Sequence, residues 1–236
     1  MIGALALFQV IRKAKTTYIT GAALISSAVL CALLPNRVPE IPGLSFLLSF
    51  NMQFSHFLIQ YPLMLLFALP LFSVVQNDML RVRHMTQDKV FQTEAVTALV
   101  LSALYALQRI VIERGFYLAM GGKWDVAIFA VELSLILMTT YMTLLLYLAI
   151  KALLHKSVWS VLVLTTLLAV DAMTALLHFP LLPESLFLFT RPLNFVVIMA
   201  TEGMAESLFW CSLSLTKVMA SLLLLWLAKG RAEYYV

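Results

Sequence analysis

Residues Gln76–Glu94 read QNDMLRVRHMTQDKVFQTE, and the chain is organised around them. They form the longest clearly polar interval in the sequence, with Asp78, Arg81, Arg83, His84, Asp88 and Lys89 set between two long apolar runs. Charges at that density are not tolerated in hydrocarbon, so the stretch belongs in water or against a soluble surface. The spacing predicts a short cytoplasmic helix over 76–92.

The totals outside this stretch decide the class. The chain is 62% hydrophobic and 12% charged, with a mean hydropathy of +0.96. Soluble domains lie nearer ~45–50% apolar and ~25% charged. The expectation is an all-α integral membrane protein, a single domain over 1–236. Crossings of ~20 residues with short connections give about six transmembrane helices.

Working outward, the crossings fall at roughly 17–34, 56–75, 93–112, 126–150, 158–178 and 208–228. Pro62 and Pro70 predict kinks in the second. Residues 1–16 have too short an apolar run to cross and end in Arg12, Lys13 and Lys15, which predicts an interfacial helix. Those basic residues also stand where a leader's small-residue cleavage site would lie, so no cleavable leader is expected. Glu113–Asp125 reads as a loop, with Gly115, Gly121 and Gly122. Residues 180–206 are apolar but cut by Pro180, Pro183, Pro192 and Gly203 into pieces too short to span, which predicts an external re-entrant helical hairpin.

Orientation follows from the sixteen Lys and Arg residues. With the N-terminus inside, ten fall in cytoplasmic segments, four outside and two, Arg109 and Lys217, within spans. Both termini and 76–94 are therefore expected in the cytoplasm of a multi-pass plasma-membrane protein. The net charge of +4 is scattered and does not point to nucleic acid.

Four ionisable residues fall within the expected spans: Arg109, Glu132, Asp171 and Lys217. A charge at mid-bilayer costs ~3 kcal/mol or more, so partners are required. The spans place all four at similar depth and predict an intramembrane charge layer, with Lys217 pairing to Glu132 or Asp171. Such a layer either holds helices together or lines a polar cavity.

The chemistry of known catalytic motifs is missing. There is no G-x-x-x-x-G-K-[ST] phosphate loop, and Gly121–Lys123 reads as a turn. His56, His84, His155 and His178 form no H-E-x-x-H pattern, and no zinc set or G-x-S-x-G elbow is present. No catalytic residue, metal site or cofactor is assigned. Cys31 and Cys211 lie in apolar runs and read as free thiols. Ser and Thr read as interhelical glue, and Trp124, Trp159, Trp210 and Trp226 as an interfacial belt.

An interfacial N-terminal helix, six spans, a charged helix between spans two and three, and a half-helix hairpin before span six together resemble the membrane subunits of ABC-2-type exporters. Residues 77–96, NDMLRVRHMTQDKVFQTEAV, are similar to the basic cytoplasmic segment of small permeases that export bacteriocins, lantibiotics and phenol-soluble modulins in Gram-positive bacteria. The resemblance implies a non-catalytic subunit working as a pair, with a second copy or a paralogue. ATP and Mg would be bound by separate ABC ATPase subunits docked on Asp78, Arg81, Arg83, His84, Asp88 and Lys89. The cargo would be an amphipathic peptide or similar amphiphile moved among membrane lipid. The alternatives are a permease for another cargo, such as a lipid-linked glycan, haem or a drug, and a membrane enzyme or assembly factor with no motor.

Overall fold

The computed structural model describes residues 15–33, 61–69, 72, 87–123, 125–176 and 204–232. Among them all regular structure is helical: α1 Lys15–Leu33, α2 over 61–69 (with Phe72 also helical), α3 Gln87–Ala119, α4 Val126–Leu154, α5 Ser157–Leu176 and α6 Met204–Ala232. The helical preference follows from composition, because an apolar chain has to satisfy its backbone within each segment if it is to enter lipid.

Among the described residues three helices are long and apolar enough to cross a membrane: Asp88–Ala119, Ile128–Leu154 and Leu208–Gly230. Tyr18–Ala32 and Ser157–Asp171 are apolar but shorter. The 1–16 helix falls outside the described residues except for its last two, Lys15 and Thr16, which open α1. The 180–206 hairpin likewise lies outside, except that 204–206 form the first turn of α6.

Helix α3 differs from the expectation at both ends. It begins at Gln87, so residues 87–92 of the expected separate coupling helix are the first turns of the crossing helix itself. It also runs past Ile112 to Ala119, so the expected loop begins seven residues too early. Gly115 does not stop it. The stop comes at Gly121, whose φ of 87° is open to glycine at little cost. The Gly121 N–H donates to the Leu118 carbonyl (3.0 Å) and the Gly122 N–H to that of Tyr117 (2.9 Å), a Schellman closure. Asp125 then caps α4, its Oδ1 accepting from the Ile128 N–H at 3.2 Å. So short a connection makes α3 and α4 antiparallel neighbours. At 33 residues α3 is ~50 Å long, well beyond the ~30 Å hydrocarbon layer, so it must tilt or project.

Helix α4 is the centre of the bundle. It packs most extensively on α6, then α3, then α5, while α1 packs on α3. The most apolar window of α4 is 61% buried against 28% for that of α6, which leaves one side of α6 open to its surroundings. Leu215, Met219, Leu223 and Trp226 are exposed there, as are Leu162, Val163 and Leu167 on α5. Inside, Phe67 meets Tyr105 at 6.1 Å and Phe72 meets Tyr147 at 6.4 Å, tying the α2 region to α3 and α4. Each such aromatic pair adds ~0.5–1.5 kcal/mol beyond burial.

Two sequence expectations are corrected here. Among the described residues Thr139, Thr140 and Thr143 turn their hydroxyls inward along their own helix, donating to carbonyls one turn back on α4. Back-bonding of this kind satisfies a buried hydroxyl where no partner helix offers an acceptor. Trp210 is buried rather than part of a belt, packed edge-on against Phe209, whereas Trp159 and Trp226 are exposed. Trp124 lies outside the described residues. Cys31 and Cys211 are free and partly buried.

Candidate functional site

The charges inside the bundle gather in two places. Where α3 ends and α4 begins, α3 carries Arg109, Glu113 and Arg114. Arg109 and Glu113 are one turn apart, with Nε 3.7 Å from Oε2. Arg114 donates through Nη2 to Glu132 of α4, and its guanidinium sits 5.2 Å from the centre of the Tyr117 ring. Glu113 also lies beside Glu132. All four charged side chains are buried. Two arginines stand against two glutamates, so each buried charge has an opposite one beside it, the condition under which buried charge is tolerated.

Of the two acids expected as partners of Lys217, Glu132 is held instead by Arg114, whereas Asp171 lies within electrostatic reach of Lys217. Arg109 finds its acid on its own helix. The expected third crossing ends at 112, which puts both Glu113 and Arg114 in the expected loop. The signal that would have found them is the i, i+4 spacing of Arg109 and Glu113 with no true stop before Gly121.

Asp171 of α5 and Lys217 of α6 lie within electrostatic reach of each other. Asp171 and Arg109 both act on the buried Tyr61 of α2. Among the four predicted charges, Arg109 and Asp171 thus share Tyr61 as a neighbour, while Glu132 is bonded to Arg114. Lys217 is half-buried and borders a narrow crevice between α4 and α6, which Met138, Thr139, Met142 and Ser214 also line.

The second gathering lies at the opposite end. Lys229 of α6 reaches Glu94 of α3, with Nζ 3.0 Å from Oε1 and 2.9 Å from Oε2. Lys151 of α4 feels both charges. Glu94 is buried, although it closes the polar stretch on which the sequence reading turned. Glu94 and Glu113 are nineteen residues apart on α3, and Glu132 and Lys151 nineteen apart on α4. At 1.5 Å per residue each interval is ~28 Å, close to the thickness of a bilayer's hydrocarbon core. The two ionic gatherings thus bound a slab of membrane dimensions.

Of the predicted docking residues, Asp88 and Lys89 are exposed in the first turn of α3, where Asp88 also complements the helix dipole. Asp78, Arg81, Arg83 and His84 lie outside the described residues. Among the described residues no group of three or more His, Cys, Asp or Glu side chains is placed to hold a metal ion. Compared with known protein families, with curated proteins and with solved structures, the chain finds no match. The class it defines is an all-helical protein carrying helices fit to cross a membrane.

Proposed function

We propose that this chain is the non-catalytic membrane subunit of an ATP-driven exporter of the ABC-2 type. In this reading it crosses the plasma membrane about six times with both termini in the cytoplasm. It pairs with a second copy or a paralogue and passes amphipathic peptides or similar amphiphiles outward. ATP and Mg are bound by separate ATPase subunits docked on 76–92.

One observation carries the reading beyond the sequence resemblance. Residues 87–94, the last part of the polar stretch, form the first turns of α3, and those turns are tied to the far end of α6 by Glu94–Lys229, with Lys151 of α4 beside them. A displacement delivered to 87–92 by a nucleotide-driven partner would pass along α3 and through this ion pair to α6 and α4. A floppy loop joined to a separate crossing would absorb the same displacement.

The test is co-purification. With the ATPase co-expressed, the Arg81→Glu/Arg83→Glu double variant should lose the ATPase and its stimulation, because charge reversal places like charges across the docking face. Unchanged capture and unchanged ATPase stimulation would remove the assignment.

A further inference from the structure

The crevice between α4 and α6 holds an observation that the proposed function leaves unexplained. Ser214 is 5% exposed and its Oγ makes no hydrogen bond among the described residues, although it lines the crevice. An unbonded buried hydroxyl costs ~1–3 kcal/mol, and elsewhere in the bundle Thr139, Thr143 and Ser221 avoid that cost by bonding back along their helices. Lys217 stands three residues on, on the same side of α6. A hydroxyl donor and an ammonium donor therefore converge on one spot, walled by the thioethers of Met138 and Met142.

We propose that this crevice is an oxyanion station for the head of an amphiphile, in which Ser214 and Lys217 bind a carboxylate or phosphate group. Asp171 acts as the internal anion that occupies Lys217 when the station is empty. Binding is then an exchange, in which the incoming oxyanion takes the ammonium from Asp171, whose carboxylate takes up a proton from water, and accepts the Ser214 hydroxyl hydrogen bond. With that proton taken up, the station holds neither an unpaired cation nor an unpaired anion, which is what its depth requires. As it stands the crevice is closed even to a water molecule. Entry therefore requires Lys217 to swing on its four-carbon stem, as a half-buried lysine is able to do. The methionines suit an apolar tail of variable shape beside the charged head.

The assignment needs no motor, so it can fail or stand independently of the exporter reading. The full chain is reconstituted in nanodiscs of zwitterionic lipid, and binding of a fluorescent amphipathic peptide with a free C-terminal carboxylate is compared with that of the same peptide as a carboxamide. The carboxylate form should bind about tenfold tighter, the worth of one charge-assisted hydrogen bond. The preference should vanish in Lys217→Met, shrink in Ser214→Ala and survive in Lys217→Arg. Asp171→Asn should bind the carboxylate peptide more tightly than the unsubstituted protein, because the competing anion is gone. A purely structural Lys217–Asp171 pair predicts no such gain. A second arm measures phosphatidylglycerol retained after purification. Retention that depends on Lys217, without a peptide preference, assigns the station to a lipid phosphate. Equal binding of both peptides together with Lys217-independent lipid retention overturns the proposal, as does the absence of tighter binding in Asp171→Asn.

Discussion

Glu94 and Lys229 are 135 residues apart in sequence and meet at 2.9 Å, on α3 and α6, two of the three helices long enough to cross a membrane. The Glu94 side chain is 3% exposed and that of Lys229 19%. Helices without a hydrophobic driving force between them depend on such polar contacts and on close packing for their relative position.

This contact gives a first prediction. Glu94→Ala should destabilise by up to ~3–5 kcal/mol, because it strands an ammonium near the edge of the buried region. Lys229→Met should cost a comparable amount, and the double variant less than the sum of the two. Unfolding midpoints in a denaturing-detergent titration report all three. Strict additivity would show that the two side chains do not brace the helices.

At the other end the prediction distinguishes two partners for one acid. Arg114→Leu should lower folded yield, and Glu132→Leu placed on top should recover part of it, since the pair is then removed together. Lys217→Leu combined with Glu132→Leu should show no such recovery. Recovery in the second double variant and not in the first would return Glu132 to Lys217.

The closure of α3 makes a steric prediction. A Cβ on Gly122 would collide with the Tyr117 ring, so Gly122→Ala should displace that ring from beneath Arg114. A loss of ~1–3 kcal/mol is expected, as for other overpacked sites. Tyr117→Ala should relieve most of it when combined with Gly122→Ala. If Gly122→Ala is as stable as the unsubstituted chain, the turn does not close on Tyr117 as described.

Depth along α3 can be read directly. With Cys31 and Cys211 replaced by Ser, single cysteines at Asp88, Leu99 and Leu107 carry nitroxide labels; all three positions are exposed on α3. The label at 88 should be relaxed by a water-soluble paramagnet. Those at 99 and 107, between the two ionic gatherings, should be relaxed by oxygen dissolved in lipid. Water accessibility at both 99 and 107 would mean that α3 does not cross.

The class and the helices were legible in the residues. A run such as Val126–Leu154 is apolar along nearly its whole length, and in lipid only a helix satisfies such a backbone from within. Both ends of α4 are marked locally, by Asp125 before it and by the His155–Lys156 turn after it. The end of α3 was misread because Gly115 and Gly121 look alike in sequence. The one lies in open space on the helix, while the other takes the φ of 87° that stops it.

What composition and periodicity determined by themselves is which segments are helical and which are too charged to remain in lipid, because both are properties of a few consecutive side chains against their solvent. Only the tertiary structure decided which charges meet. Arg114 finds Glu132, and Lys229 finds Glu94, through the rotation and relative height of helices far apart in the chain. Those two quantities are set by packing over the whole bundle, and no short stretch of sequence contains them.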